Sequence, residues 1–337
     1  MNRLKISTST ATARLRQIHY QFGKFGYHGD KMNSKYVGKA YTETTVHKYF
    51  RNLIGIEHPT RSGRPHTSTV VFIGGLGDGI TTVPYVKPLA DALDKSGWGV
   101  IELLTTSSFG GWGTGSLERD ADEVEKAVEY LTTKLEAGGL PNKQRIVLLG
   151  HSTGCQDIMY YLTRGKERAK VDGVILQAGV SDRDATVLNI GESKWKETLS
   201  AAQKLVDEGK GETVLSGEFA EIMHNTPISA SRFVALNAPR GDDDFFSVDL
   251  PGSDLEKSFG KVNVPLMFLM SGNDAFVDPK EDKQKIVDRY ASFVKGGNWS
   301  RLSGVVDGAS HNVGRDSKEG AVDTVVEKVE GFVKSIF

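Results

Sequence analysis

Short apolar runs alternate with amphipathic stretches along the chain from about residue 69 onward. The first run, 69–73, is rich in β-branched residues and ends on glycines, which is typical of a buried strand. Further strands are predicted where similar runs recur, at 98–104, 145–149, 171–177, 264–270 and, as a weaker pattern, 302–306. Residues 36–50 are expected to add antiparallel strands at the edge of the sheet.

Apolar residues at helical spacing occupy the intervals between these runs. Helices are predicted over 84–96, over 117–136 and from about residue 320 to the end. In the second of these, Val124, Val128 and Leu131 recur at helical spacing amid charged residues. Strands that alternate with helices predict an α/β fold, with a mostly parallel central sheet and helices on both of its faces.

The alternation breaks between residues 183 and 259. This stretch contains a charged helix at 194–208, a shorter helix near 218–224 and an acidic loop, but no convincing buried strand. We interpret it as a helical cap inserted before the last strands, over the carboxyl edge of the sheet, where ligands bind in open α/β sheets. The expected organisation is one domain, 35–337, with the cap at about 183–259, preceded by a leader at 1–34.

The leader is basic and rich in hydroxyl side chains. No acidic residue precedes Asp30. Leu15, Ile18 and Phe22 would share one helical face. This profile is typical of an organelle transit peptide, so a mitochondrial location is one interpretation. The interpretation that we favour is a cytoplasmic protein whose leader has no targeting function and precedes a second possible start at Met32.

Composition and charge argue against several classes of partner. The 337 residues carry a formal net charge of −1, which gives no reason to expect nucleic acid or a membrane surface as a partner. No apolar run approaches the roughly 20 residues that are needed to cross a bilayer. The single cysteine, Cys155, cannot form an internal disulfide, and no cluster of histidines and carboxylates has the spacing of a metal site. The sequence leaves the oligomeric state open.

The strongest chemical signal is the pentapeptide Gly150-His151-Ser152-Thr153-Gly154. It follows an apolar run and precedes a helix-compatible stretch, which is the strand–turn–helix context of the nucleophile elbow, G-x-S-x-G. The two glycines avoid side-chain clashes in this sharp turn, so Ser152 projects at the amino terminus of a helix. In this context the motif predicts a serine nucleophile on an α/β-hydrolase fold; the alternative is an ordinary turn.

A serine hydroxyl needs a base to take its proton, and the chain order in this fold is serine, acid, histidine. His311 lies in a loop of small residues between the last strand and the last helix, where the base is expected. The acid is expected after the fifth strand, and Asp274 stands just beyond the end of that strand. Asp278 is the alternative, although it precedes Pro279 and could cap the next helix instead.

A tetrahedral intermediate requires hydrogen-bond donors for its oxyanion. The backbone N–H of Thr153, next to the nucleophile, is one expected donor. The second is expected from the glycine-rich loop 74–79, with the N–H of Leu76 preferred and that of Gly77 as the alternative. Neither this loop nor the second glycine-rich loop, which contains Trp112, matches a nucleotide-binding motif. No cofactor is predicted, and Trp112 is expected to line the pocket.

Three segments together resemble a known family. They are 150–157, 241–247 and 271–274, and the most specific part is the extension of the elbow as Thr153-Gly154-Cys155-Gln156-Asp157. From about Tyr36 to its carboxyl end, the sequence is similar to α/β-hydrolases of fungi, protists and plants that include the fungal siderophore esterases.

The resemblance implies Ser152, Asp274 and His311 as the catalytic triad. For its siderophore esterases it implies hydrolysis of the ester bonds that link hydroxamate units in fusarinine-type siderophores. The predicted function is therefore that of a serine esterase, which cleaves a small-molecule ester through an acyl-enzyme. An acyltransferase or thioesterase would need the same residues, and a catalytically silent binding module is the alternative from another class.

The acidic loop of the predicted cap carries Asp242, Asp243 and Asp244. Because the cap should overhang the elbow, these carboxylates could bind a cationic amine of the substrate, such as those of an ornithine-based siderophore. The alternative is that the three side chains are solvated or accept backbone hydrogen bonds that hold the loop.

Overall fold

The computed structural model describes residues 44–63, 66–137 and 145–336. An eight-stranded sheet runs through these residues. In chain order its strands are β1 (Thr45–Phe50), β2 (Leu53–Glu57), β3 (Ser68–Ile73), β4 (Trp98–Leu104), β5 (Ile146–His151), β6 (Gly173–Gln177), β7 (Leu266–Ser271) and β8 (Gly304–Val306). Across the sheet they lie in the order β1-β2-β4-β3-β5-β6-β7-β8.

The strands from β3 to β8 are parallel to one another, and β1 and β2 form the antiparallel edge. The register pairs Ile73 of β3 with Gly150 of β5, and His151 of β5 with Gln177 of β6. The last residues of three neighbouring strands therefore lie side by side at the carboxyl edge of the sheet. This edge is where the predicted elbow leaves β5.

Ten α-helices accompany the sheet in the part of the chain that the structure describes. They are α1 (Val86–Leu93), α2 (Leu117–Ala137), α3 (Gly154–Thr163), α4 (Asp182–Ile190), α5 (Glu192–Asp207), α6 (Glu218–Ile222), α7 (Ala230–Asn237), α8 (Gly252–Lys257), α9 (Lys283–Ala291) and α10 (Ala321–Ser335). Side chains alternate between the two faces of a strand. In β3, Val70 and Phe72 accordingly pack with α1 and α10, whereas Val71 and Ile73 pack with α2, α3 and α9.

The insertion between β6 and β7 contains helices α4 to α8 and has its own apolar core. Leu215, Ile228 and Phe233 belong to this core, which also includes Trp112 from the loop after β4. The helices predicted at 194–208 and 218–224 correspond to α5 and α6, whereas α4, α7 and α8 were not predicted individually. The insertion also contains one short antiparallel pairing, of Val214–Leu215 with Ile228–Ser229, which the sequence pattern did not indicate.

The predicted strands of the sheet are present, with ends shifted by at most two residues. β1 falls within the predicted edge segment 36–50, and β2 was not predicted separately. Residues 36–43 and the leader at 1–34 lie outside the described residues. Among the helices that the structure describes, none combines the length and the apolar character that a membrane span requires.

Candidate active site

Ser152 occupies the turn between β5 and α3, at the carboxyl edge of the sheet. Its φ angle is +53°, in the left-handed region that residues other than glycine rarely adopt. Two backbone hydrogen bonds hold this conformation: Ser152 N donates to the carbonyl of Gln177 at 3.0 Å, and Cys155 N donates to the carbonyl of Ser152 at 2.8 Å. The turn therefore fixes the side chain that the elbow motif predicts as nucleophile.

The two glycines of the motif allow close backbone contacts. A Cβ atom at Gly150 would lie 2.3 Å from the carbonyl oxygen of Gly154, and one at Gly154 would lie 2.3 Å from the carbonyl oxygen of Ile73. Both distances are well inside van der Waals contact, and the atoms concerned belong to the backbone. The sharp turn is thus possible because these two positions lack side chains.

Ser152, His311 and Asp274 form a continuous row of hydrogen bonds. The distance from His311 Nε2 to Ser152 Oγ is 2.8 Å, and that from His311 Nδ1 to Asp274 Oδ2 is also 2.8 Å. His311 and Asp274 are both buried, so water competes little for these contacts. With Nδ1–H donating to the carboxylate, Nε2 is left to accept the proton of the serine hydroxyl.

Asp274 and Asp278 have different partners. The second oxygen of Asp274, Oδ1, accepts a hydrogen bond from the backbone N–H of Phe276 at 3.0 Å, and the Phe276 ring stands edge-on to His311 at 4.6 Å between centroids. Asp278 instead accepts from the backbone N–H of Lys280 at 3.0 Å. The geometry therefore brings Asp274, and not the alternative acid, to the histidine.

A second layer of side chains lies beneath this row. His151 is buried, and its Nδ1 is 2.6 Å from Gln177 Oε1, while Gln177 Nε2 donates to the carbonyl oxygen of His311 at 3.2 Å. Burial, together with the nearby His311 ring, lowers the pKa of His151 to about 4, so this imidazole stays neutral. Sequence reasoning missed Gln177, whose only signal was its position at the end of the neighbouring strand.

The glycine-rich loop 74–79 passes directly over the nucleophile. A Cβ atom at Gly75 would lie 3.1 Å from Ser152 Oγ. Asp78 closes the loop, because its Oδ2 accepts from Gly75 N at 2.9 Å. Within the described residues, the backbone N–H groups of Leu76, Gly77 and Thr153 donate to no protein acceptor. Leu76 borders the cavity that contains Ser152, whereas Gly77 and Thr153 are not part of its wall.

The cavity at Ser152 lies between the sheet edge and the cap. It is lined by Leu76, Asp78, His151, Ser152, Val180, Asp182, Ala185, Phe276, His311 and Asn312. It shares Leu76, Asp182 and Phe276 with an adjoining cavity under the cap, and Trp112 forms part of the wall of that second cavity. A larger and mostly apolar cavity, of about 230 Å³, lies on the other side of Val180 and Phe276. A substrate at Ser152 would therefore contact both the sheet edge and the cap.

The acidic loop does not supply the carboxylates of this cavity. Asp243 is buried and forms an ion pair with Arg232 at 2.6 Å. Asp244 is buried as well: Oδ2 accepts from the backbone N–H of Arg240 at 2.8 Å, and Oδ1 accepts from the hydroxyl of Ser247. Asp242 is exposed beside Arg164. The structure does not bring these three aspartates to the Ser152 cavity: internal partners occupy Asp243 and Asp244, and none of the three lines its wall.

Two further observations concern groups other than the hydrogen-bonded row. Cys155 is fully buried in α3, where its Sγ donates to the carbonyl oxygens of Gly150 and Gln177, both at 3.3 Å. Burial raises the pKa of this thiol well above its usual range, which opposes a role as nucleophile. Within the described part of the chain, no group of three or more histidine, cysteine or acidic side chains is placed to hold a metal ion.

Comparison with known protein sequences identifies relatives over most of the chain. A family model described as "Protein of unknown function (DUF1749)" matches residues 32–334. The chain is 38% identical over 301 residues to the UPF0613 protein PB24D3.06c of Schizosaccharomyces pombe, which covers 84% of this chain and 94% of that protein. In an alignment 353 positions long, it is 32% identical to the fusarinine C esterase sidJ of Aspergillus fumigatus, with 90% of this chain and 99% of that protein covered.

Solved structures agree with these relatives. The siderophore hydrolase EstB from Aspergillus fumigatus superposes with a TM-score of 0.78 at 31% identity, over 90% of this chain and 99% of that one. An α/β-hydrolase fold protein of unknown function superposes with a TM-score of 0.62 at 16% identity, over 88% of this chain and 97% of that one, a likeness of fold alone. The predicted fold and the predicted family resemblance are both confirmed. The chain belongs to the DUF1749 family and is an ester hydrolase with the α/β-hydrolase fold.

Proposed function

We propose that Ser152, His311 and Asp274 are the catalytic triad through which the protein cleaves a carboxylic ester. The observation that carries this proposal is the unbroken row of two 2.8 Å contacts from Ser152 Oγ through the His311 ring to Asp274. The row stands in a cavity, and its serine is held at the tip of a strained turn. These are the geometric relations that nucleophilic catalysis by serine requires.

In the acylation step, Ser152 Oγ attacks the ester carbonyl while His311 Nε2 takes the hydroxyl proton. Negative charge develops on the carbonyl oxygen, where the N–H groups of Leu76 and Thr153 are the proposed donors. His311 then gives its proton to the departing alkoxide, which leaves an acyl-enzyme. Water then attacks the acyl carbon while it gives a proton to His311. The bond to Ser152 breaks, His311 returns the proton to Ser152 Oγ, and the acid leaves. Throughout, the Asp274 carboxylate stabilises the imidazolium and holds its tautomer.

For the substrate, we propose an ester of the hydroxamate siderophore class. Support comes from the relatives named as a fusarinine C esterase and a siderophore hydrolase, each of which aligns with about nine-tenths of this chain. A mostly apolar cavity of about 230 Å³ adjoins the Ser152 cavity at Val180 and Phe276, which gives space for an acyl chain next to the nucleophile. The experiment that tests this proposal compares the rate at which the protein hydrolyses iron-free and iron-loaded fusarinine C with the rate at which it hydrolyses simple alkyl and aryl esters.

The test of the triad is a labelled fluorophosphonate probe on three proteins: the wild type, Ser152→Ala and His311→Ala. The wild type should be labelled at Ser152, and both variants should lose labelling, because one lacks the nucleophile and the other lacks the base that activates it. Turnover should fall on the order of 10⁴-fold or more in each variant, and the double variant should lose no more, since the residues act as a unit. Labelling that survives in Ser152→Ala contradicts the proposal.

A further inference from the structure

Asp182 brings a carboxylate into the cavity that contains Ser152. It is the first residue of α4 and lines both this cavity and the adjoining one under the cap. Most of the wall around it, formed by Leu76, Val180 and Phe276 among others, is apolar. Asp182 has no part in the proposed triad or in the proposed oxyanion contacts, so its place in this wall calls for another role.

The elbow helix fixes the position of this carboxylate. Gln156, which lies four residues after Ser152, is fully buried. Its Nε2 donates to Asp182 Oδ2 at 2.9 Å and to the carbonyl oxygen of Val180 at 3.1 Å. Because Gln156 and Ser152 belong to the same turn and helix, the amide sets the distance between the Asp182 carboxylate and the nucleophile. Gln156 belongs to the elbow extension that carries the family resemblance, and neither the triad nor the oxyanion contacts account for it.

Within the described residues, no basic side chain forms an ion pair with Asp182. The nearby guanidinium of Arg232 pairs with Asp243 instead, at 2.6 Å. Burial and the Asp243 carboxylate raise the pKa of Asp182 to about 7. Asp182 is half-buried. A carboxylate partly removed from bulk water without a cation is unfavourable, and a cation delivered by the substrate would lower that penalty.

We propose that Asp182 is a specificity-determining residue that binds a primary ammonium group of the ester substrate. The proposal rests on the proposed ester hydrolysis at Ser152 and names a chemical class within it. An ammonium group suits the site because it is a compact charge that donates three hydrogen bonds. Asp182 can accept such bonds with Oδ1 while Gln156 keeps hold of Oδ2. It takes the role that the sequence pattern had suggested for Asp242, Asp243 and Asp244.

The test uses a matched pair of substrates. One member is a series of butanoate esters of ω-amino alcohols of increasing length, and the other is the same series acetylated on the nitrogen. The wild type should show a higher kcat/KM for the free amine at one or more lengths. Asp182→Asn should lower the ratio of the two kcat/KM values by about tenfold or more, mainly through KM, because the amide keeps the shape but not the charge.

Asp242→Asn is the matched control, since it removes an exposed carboxylate and should leave both rates and their ratio as in the wild type. The proposal is overturned if the wild type does not prefer the amine, or if Asp182→Asn keeps the wild-type ratio. If neither ester is hydrolysed and Ser152 does not react with fluorophosphonate, the proposed function fails as well, which is a different result.

A second measurement does not depend on the folding of the variant. An n-alkylammonium chloride should inhibit wild-type hydrolysis of an acetylated ester competitively, and more strongly than the n-alkanol of the same length. Equal inhibition by the two compounds overturns the proposal, because the site then makes no distinction between a cation and a neutral donor.

Discussion

At the scale of single residues, the site places its most reactive group in an unfavourable backbone conformation. A φ of +53° at Ser152 is uncommon for a residue with a side chain, and such strain at a functional site is held by the surrounding structure. Here the support comes from Gln177 on the neighbouring strand, whose carbonyl accepts from Ser152 N. The same residue uses its side chain to contact His151 and His311. Gln177 thus supports the backbone of the nucleophile and that of its base.

Exchange of the two candidate acids for asparagine should separate their roles. In Asp274→Asn the amide would favour the wrong tautomer of His311, so kcat should fall on the order of 10³–10⁴-fold with little change in fold. Asp278→Asn should stay within about threefold of the wild type, because that carboxylate only accepts from Lys280 N. Steady-state kinetics on a neutral aryl ester decides the matter. If Asp278→Asn is the crippling change, the acid is misassigned although the class of mechanism survives.

Titration of Asp182 should be visible in the pH dependence of stability. Its pKa rises to about 7 in the folded protein, so the folded state binds more protons than the unfolded state between the ordinary carboxyl range and neutrality. Stability that is present at low pH is therefore lost as pH rises through this window. The Asp182→Asn variant does not undergo this loss of stability. As the pH is raised from about 5 to about 8, its melting temperature should therefore increase by several degrees relative to that of the wild type.

The contributions of other buried acids to the pH dependence cancel when the variant is compared with the wild type, because both proteins contain those acids. Burial raises the pKa of Asp120 to about 6 and that of Asp157 well above its usual range. Their contribution to the pH dependence is the same in the variant and the wild type. Parallel melting curves across the whole pH range would show that Asp182 is not the group that titrates.

The structure brings together those predicted side chains whose positions are set by chain order and local context. The positions of Ser152, Asp274 and His311 follow from an order of elements that the fold imposes. Partners such as Gln177 and Gln156 could not be predicted, because their contacts depend on which strands and loops become neighbours. The ion pair of Asp243 could not be predicted for the same reason: an acidic run indicates charge, but only the packed structure shows that Arg232 neutralises this carboxylate.

At the scale of elements, the cap contacts the hydrolase core through one very close backbone approach. The turn Gly111–Thr114, which contains Trp112, meets the start of the cap strand Ile228–Ser229. A Cβ atom at Gly113 would lie 1.9 Å from the carbonyl oxygen of Pro227. Arg232 of α7 adds a polar contact to the same turn, because its Nε donates to the carbonyl of Trp112 at 3.1 Å.

Substitution in this turn should therefore displace the cap. Gly113→Ala should destabilise the protein by about 1–3 kcal/mol, as overpacking of a filled site does, and should lower kcat/KM for bulky esters more than for small aryl esters. Gly110→Ala is the matched control, since a Cβ atom there meets no heavy atom within 4 Å and its φ is −89°. Thermal melting and kinetics on the two substrates measure the effect. Equal behaviour of the two variants would contradict a docking role for this contact.

The elements of the sheet were easier to predict than those of the cap. Buried parallel strands are continuous apolar runs bounded by turn residues, so their positions can be read from the sequence. The short pairing of Val214–Leu215 with Ile228–Ser229 has no such signal, because two residues are too few to show a period. Helices α4 and α7 are short, and each follows a serine whose side chain caps its first turn, at Ser181 and Ser229. Those two serines are the signals that the sequence offers for these helices.

At the scale of the whole molecule, the parallel sheet and the inserted cap supply different residues to the site. The three residues of the proposed triad, Ser152, His311 and Asp274, lie on loops that follow the carboxyl ends of β5, β8 and β7. The cap contributes Asp182 and Ala185 to the same cavity. We therefore expect the core to determine the chemistry and the cap to determine which ester is accepted.

The family match begins at Met32, and every strand and helix described here follows that point. A protein that begins at Met32 should therefore keep the esterase site, with kcat/KM and melting temperature close to those of the full chain. Kinetics and thermal melting on both proteins test this. In parallel, residues 1–31 fused to a fluorescent protein should remain cytoplasmic, as the interpretation of a leader without targeting function requires. Import of that fusion into mitochondria would establish the other interpretation, and lost activity of the shortened protein would show that the leader supports the fold.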